Sequence, residues 1–256
     1  MAYLEAKNLT IHFGGLTAVD HLGFAVEKGQ IVSIIGPNGA GKTTIFNLLT
    51  GVYKPNEGEI YFDGKRMDGK TPGQIVTVGM ARTFQNIRLF SDMRVIENVL
   101  VGTHIQTKYR FLEGLFRTRH FRREEDEKKR YAAMLLEEVG LRHRIDDYAD
   151  NLPYGEQRKL EIARAIATGA KLLLLDEPAA GMNPQESEEL RQFILQLKHK
   201  GYTILLIEHD MNVVMNISDY IYVVDYGKKI AEGHPEEIQD NKLVAAAYLG
   251  EGEVEE

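Results

Sequence analysis

The sequence contains no cysteine. Disulfides and thiolate metal sites are therefore excluded, and the chain suits a reducing compartment. It has no excess of positive charge: 31 Lys and Arg stand against 38 Asp and Glu, a formal net charge of -7. Nucleic-acid phosphates are bound by concentrated positive charge, so no nucleic-acid partner is expected. No apolar run approaches the ~18 residues that a membrane-spanning helix needs. The longest runs, such as LLLL before Asp176, are strand-sized. The opening MAYLEAKNLTIHF has no basic patch followed by an apolar run, so no signal peptide is expected. Internal repeats and sustained heptads are missing as well. The chain is expected to be soluble by itself, which leaves docking on a membrane protein open.

What is present is an ordinary globular balance, with 43% hydrophobic and 27% charged residues over 256 positions. That length buries a sizeable core, as one large domain or a core with a subdomain. Ile31 to Ile35, Leu172 to Leu175 and Thr203 to Ile207 are short apolar runs that end in Gly36, Asp176 and Glu208-His209. Helical patterns lie between them, as in Glu186 to Leu197. Fully apolar strands alternating with helices predict an α/β fold whose parallel sheet is covered on both faces. The first ~30 residues and Glu59 to Asp63 read as flanking antiparallel strands, and IYVVDYGKKIAEG as a hairpin turning at Tyr226-Gly227. Residues 88–165 read as a mainly helical insertion within a single domain over 1–250, and 251–256 as a frayed acidic tail.

Gly36 to Thr44, GPNGAGKTT, fits G-x-x-x-x-G-K-[ST] between a strand and a helix. The glycines let backbone N–H groups wrap phosphate oxygens, and the helix that follows offers its N-terminus to the anion. Lys42 is placed to reach the β- and γ-phosphates, and the Thr43 hydroxyl to ligate Mg²⁺. The competing reading is a glycine-rich turn that merely starts a helix; the strand before and helix after weigh against it. Asp176 and Glu177 follow the second strand. Beside a phosphate loop, Asp176 suits Mg²⁺ held through water, and Glu177 suits a general base that polarises the attacking water. His209 follows the third strand and could contact the γ-phosphate, although a lone histidine is more often structural.

Together these pieces resemble the nucleotide-binding subunit of ATP-binding cassette (ABC) transporters, over nearly the whole chain and in the family's order. The resemblance implies a P-loop ATPase core with mainly parallel sheet, an antiparallel β subdomain and a helical subdomain. Phe13 sits where the family places an aromatic ring against adenine. Gly36, Pro37, Asn38, Gly39, Ala40, Gly41, Lys42, Thr43 and Thr44 form the Walker A loop. Gln85 matches the Q-loop residue that senses Mg²⁺ and the attacking water. Leu152, Pro153, Tyr154, Gly155, Glu156 and Gln157 match the signature motif, usually LSGGQ. Leu172 to Asp176 with Glu177 match Walker B and the catalytic glutamate; Gly181, Met182 and Asn183 lie in the D-loop, and His209 matches the switch histidine.

The family mechanism then implies a head-to-tail pair, a heterodimer with a second ATPase subunit or a self-dimer formed on ATP binding. Each ATP is held between one chain's Walker A loop and the other chain's signature. Two transmembrane permease subunits, and indirectly an extracytoplasmic substrate-binding protein, complete the complex. The implied place is the cytoplasmic face of the membrane, peripherally bound. HFGGLTAVDHLGFAVEKGQIVSIIGPNGAGKTTIFNLLTG and GMARTFQNIRLFSDMRVIENVLVGTH are similar to the larger ATPase subunit of high-affinity branched-chain amino-acid importers, which often have a longer insert, here near 104–130. Two alternatives are a soluble ABC ATPase and a nucleotide-responsive module with little turnover. A single Walker A loop without heptads weighs against the first.

Pro153 lacks the hydroxyl and the backbone N–H of the usual serine. Tyr154 replaces a glycine, Glu156 the usual glutamine, and Asn183 the usual D-loop aspartate. Proline is tolerated at the first turn of a helix, so the helix that follows can still face an anion, and Gly155 still permits close backbone approach. A weaker, asymmetric site is the expectation. The block RTRHFRREEDEKKR reads as a solvated helical face with Glu124–Lys128 and Glu125–Lys129 pairs. Phe111, Leu112, Leu115 and Phe116 are expected to bury against the core rather than to meet a membrane subunit or lipid headgroups.

Overall fold

The computed structural model describes residues 2–107, 109, 113 and 115–249. Phe111 and Leu112, and the tail 251–256, lie outside the described residues. Among the described residues, ten strands form two sheets. The four-stranded sheet is antiparallel, in the order β2 (Leu16–Val26), β1 (Leu4–Phe13), β4 (Glu57–Phe62), β5 (Lys65–Arg66). The six-stranded sheet has the order β10 (Lys228–Gly233), β9 (Tyr220–Asp225), β3 (Ile31–Ile35), β8 (Thr203–Ile207), β7 (Leu172–Asp176), β6 (Met80–Arg82). All its pairings are parallel except β9–β10.

The central strands show why their apolar runs are continuous. Side chains alternate between faces along a strand. Val32, Ile34, Leu172, Leu174, Leu205 and Ile207 join a core shared with the antiparallel sheet and helix α1 (Lys42–Leu49). Leu173, Leu175, Ile204 and Leu206 point the other way, into a core built with helices. Those helices are α3 (Val95–Thr103), α4 (Arg119–Glu138), α5 (Tyr154–Ala167) and α6 (Pro184–His199). Helix α2 (Pro72–Thr77) precedes β6, α7 (Met211–Ile217) follows β8, and α8 (Pro235–Gln239) and α9 (Lys242–Leu249) close the described chain. Each fully buried leucine of the central strands contributes roughly 1.5–3 kcal/mol of transfer free energy. Both faces are covered, as the sequence pattern predicts.

The β9–β10 turn is Tyr226-Gly227, with φ of 43° and 78°, the double left-handed geometry of a two-residue hairpin. Gly227 donates its N–H to Ala40 O at 3.0 Å, so the hairpin tip touches the 36–44 loop. Helix α4 starts at Thr118, whose hydroxyl accepts the Phe121 N–H at 3.3 Å. It ends before Gly140, whose φ of 77° is the left-handed conformation in which helices commonly terminate at glycine.

Two expectations are corrected. Leu115 and Phe116 are 63% and 75% exposed rather than buried against the core; the segment turns outward just before Thr118 caps α4. Lys128 takes both Glu124 (3.1 Å) and Glu125 (3.4 Å), so Glu125 does not go to Lys129. The i,i+3 neighbour competes with i,i+4 on one helix face. Pro153 stands at the cap position, just before the first turn of α5. Its φ of -53° and ψ of 151° are extended, and its carbonyl accepts the Gln157 N–H at 2.9 Å.

Candidate nucleotide site

The loop Gly36–Gly41 leaves the C-terminal end of β3 and enters α1, the sheet edge where α/β folds place ligands. Glycine is required at its exit. Gly41 has φ of 98°, and a Cβ there would stand 2.5 Å from Ala18 O. Lys42, 6% exposed, folds back over the loop and donates to Gly36 O at 2.7 Å and Pro37 O at 2.9 Å. Burial pulls its ammonium below the ordinary lysine value, while Glu177 and Asp176 oppose that shift. The lysine is thus held by carbonyls that an anionic ligand would replace. Thr43 and Thr44 follow it in the first turn of α1, Thr43 exposed and Thr44 half-buried.

Neighbouring strand ends supply the acidic groups. Asp176 ends β7 and pairs through Oδ2 with Arg82 Nη2 at 2.6 Å, both side chains 5% exposed. Arg82 also donates to Asn47 Oδ1 at 2.7 Å, which ties β6, β7 and α1 together. Glu177 stands in the left-handed region, φ 45°, a strained position for a non-glycine residue. Its N–H bonds Ile207 O at 2.8 Å, and its carboxylate accepts Gln85 Nε2 at 2.7 Å. His209 Nδ1 lies 3.5 Å from the same carboxylate. Gln85, Glu177 and His209, from three separate strand ends, therefore converge, and Lys42 feels Glu177 and Asp176. Phe13, at the end of β1, is 43% exposed and packs edge-on against Tyr53 at 5.2 Å between centroids.

The 152–157 segment stands apart. Leu152 is buried, and Pro153 and Tyr154 are exposed. No hydrogen bond among the described residues joins it to the 36–44 loop. Glu156 turns back to Arg144 at 3.2 Å and His143 at 3.8 Å, and Gln157 Nε2 caps Leu152 O at 2.9 Å. A Cβ built on Gly181 would lie 3.9 Å from the Tyr154 hydroxyl, so residues 181–183 run beside this segment. Asn183 caps α6: its Oδ1 accepts Glu186 N–H at 3.0 Å while Glu186 Oε2 accepts the Asn183 N–H at 3.1 Å. Asparagine in place of aspartate therefore keeps the cap without the charge.

Three residues escape motif reading. Arg158, with no exposed surface, donates from Nη1 to Phe84 O (2.7 Å) and Glu161 Oε2 (2.8 Å). Its Nη2 donates to Gln85 O at 2.7 Å and Tyr154 Oη at 3.4 Å. One guanidinium thus joins α5 to the backbone of Gln85. Arg82 is the second. Glu208 is the third: fully buried, it accepts the N–H of Ala179 at 2.8 Å and of His209 at 3.1 Å. Only the i,i+3 spacing of Arg158 and Glu161 was visible in the sequence.

Burial raises the Glu208 pKa above its ordinary 4.5, against those backbone donors. A folded-state pKa above the unfolded one means the folded chain holds the proton more tightly, so this group's contribution is full below pH 4.5 and is lost as pH rises through the raised value. Glu208→Gln is expected to flatten that loss. A smaller decline in Tm above pH 4.5 than in the unsubstituted chain checks this, and parallel Tm curves would contradict it.

A phosphate loop after the central parallel strand β3, with a histidine after the adjacent strand β8 and an acidic pair at the end of the next strand β7, defines a class, and residues 19–180 match the ABC transporter family. The chain belongs to that family: it is an ATP-binding subunit of an ABC transporter, and an ATPase. Residues 228–254 match a second family, the branched-chain amino acid ATP-binding cassette transporters. The high-affinity branched-chain amino acid transport ATP-binding protein BraF of Pseudomonas aeruginosa is 51% identical over 97% of this chain and 98% of its own length. LivG of Escherichia coli, of the same description, is 50% identical over the same shares. Among solved structures, a nucleotide-free ATP-binding cassette of an ABC transporter superposes with a TM-score of 0.84 at 36% identity, covering 98% of this chain and 100% of that one.

Proposed function

We propose that this chain powers an importer of branched-chain amino acids from the cytoplasmic face of the cell membrane. The names of its half-identical relatives and the match of residues 228–254 support the substrate class. The observation that carries the chemistry is the meeting of Gln85 and His209 on the Glu177 carboxylate. In this reading the N–H groups of Gly36–Thr44 hold the phosphates, Lys42 exchanges two carbonyls for phosphate oxygens, and Phe13 offers its exposed face to adenine. Glu177 orients and deprotonates the attacking water, Gln85 fixes that carboxylate, and His209 faces the γ-phosphate.

The residues present fit magnesium. Thr43 Oγ1, the Gln85 amide oxygen left over from its N–H bond to Glu177, and Asp176 through water are hard oxygen donors. Thr43, Gln85 and Asp176 would hold it, and it would neutralise charge on the phosphates.

The residues 88–165 are the unit we assign to permease docking. A groove of about 680 Å³, walled by Phe84, Arg88, Leu89, Phe90, Val101 and Ile105 among others, opens beside the Gln85 loop. A permease segment seated there would press on the backbone that Arg158 holds. Residues 152–157 then serve a partner's ATP. Pro153 supplies no side-chain donor to that phosphate, a loss of roughly 1.5–3 kcal/mol for a bond to a charged group. The partner's site, completed by LPYGEQ, is the weaker of two. In the reconstituted transporter, Glu177→Gln is expected to abolish ATP-driven leucine uptake and the equivalent change in the second ATPase to reduce it less. Equal damage would refute the asymmetry, and uptake of no branched-chain amino acid would refute the substrate assignment.

A further inference from the structure

Glu208 has no exposed surface and takes no part in the chemistry described above. It follows β8 directly, between Ile207 and His209. Among the described residues no lysine or arginine pairs with it; the His209 ring nitrogen Nδ1 lies 3.9 Å from Oε2. A carboxylate taken out of water is costly unless hydrogen bonds replace its hydration. Glu208 has such a bond on each oxygen: Oε1 accepts the Ala179 N–H at 2.8 Å, and Oε2 the His209 N–H at 3.1 Å. The first partner lies in the turn that follows Glu177, where the Ala180 N–H bonds Glu177 O at 3.1 Å. The second is the backbone of the histidine whose Nδ1 stands 3.5 Å from the Glu177 carboxylate. The Glu177 N–H is itself held by Ile207 O at 2.8 Å, one residue before Glu208. The ends of β7 and β8 are thus clamped twice, once through the backbone and once through this carboxylate. The His209 side chain is 55% exposed, so little packing fixes it and the constraint falls on its backbone.

We propose that Glu208 is a positioning residue that fixes His209 against the turn carrying Glu177, so that both groups face the same reacting centre. The inference rests on the reading of Glu177 and His209 as the groups that act at the γ-phosphate. Glu208 touches no reacting group. An ionised carboxylate accepts at both oxygens, whereas a glutamine amide accepts at one and presents a donor at the other. In Glu208→Gln the N–H of either Ala179 or His209 is therefore left facing another N–H. Among the described residues Glu208 makes no hydrogen bond to the 36–44 loop, so nucleotide affinity does not depend on it.

The test is steady-state ATP hydrolysis by the assembled transporter carrying Glu208→Gln, with ADP binding and Tm measured on the same full-length chain. A hydrogen bond to a charged group is worth a factor of about ten to a hundred. The kcat is expected to fall by that order, while the KM for ATP and the dissociation constant for ADP stay nearly unchanged. Glu208→Asp keeps the charge but is one methylene too short to span both donors, and the same split is expected of it. In a His209→Ala background Glu208→Gln is expected to change kcat little, because the group that it positions is gone. Unchanged kcat in both Glu208 variants would overturn the proposal, as would a loss confined to Tm. So would an equal fold-loss with and without His209, or a rise in KM and in the ADP dissociation constant with kcat intact. Unchanged hydrolysis in both His209→Ala and Glu177→Gln would instead refute the reading of the site on which the proposal rests.

Discussion

Glu177→Gln is expected to lower ATP hydrolysis by the assembled transporter by about 10²–10⁴-fold, the usual worth of a positioned general base, while ATP binding survives. The amide preserves the shape of the side chain and an acceptor for Gln85 Nε2, now 2.7 Å away. It cannot take a proton from water. Lys42, the loop glycines and Phe13 are untouched, so the binding half of the site stays intact. The backbone also argues for a dedicated role: φ of 45° at a non-glycine residue costs of order 1–3 kcal/mol and is retained where the surrounding structure enforces it. Turnover with radiolabelled ATP, together with filter binding, checks the result. Hydrolysis at the parent rate would remove Glu177 from the chemistry. Loss of binding along with turnover would assign it to nucleotide affinity instead.

Arg158→Ala is expected to be among the most damaging single substitutions outside the phosphate loop. Removing the guanidinium strands Glu161, itself 2% exposed, as an unpaired buried charge, at a cost of roughly 3–5 kcal/mol. For a chain of this size that corresponds to a Tm lower by roughly 10 °C. The carbonyls of Phe84 and Gln85 lose their donor at the same time. A double replacement, Arg158→Met with Glu161→Leu, separates the two effects. It should recover most of the Tm because a similar-sized apolar pair replaces the ion pair. It should not recover turnover, because the Gln85 loop is still unanchored. Full recovery of both would reduce Arg158 to a structural residue.

The contrast between these two residues shows what was legible beforehand. Glu177 sits in a local pattern: a four-leucine strand, an acidic pair and a turn. The strands β3, β7 and β8 were equally plain, since apolar runs of that length buried on both faces have few other readings. The Tyr226-Gly227 turn was legible for the same local reason. Arg158 was not legible, because its partners lie at Phe84 and Gln85, far away in sequence, and no local spacing announces them. Arg82 with Asp176, and Glu208 with Ala179, are of the same kind. Leu115 and Phe116 misled for a different reason: an apolar cluster on a basic background looks alike whether it faces a core or a partner.

The central claim is that ATP bound by this chain is completed by another chain's signature motif. Sedimentation of Glu177→Gln mixed with its partner ATPase, with and without Mg-ATP, tests it most directly. The expected result is two separate cassettes without nucleotide and a one-to-one complex with it, because the bound γ-phosphate supplies the missing contacts of the interface. Two cassettes that stay separate when saturated with ATP, while the unsubstituted chain alone hydrolyses at the full rate, would contradict it.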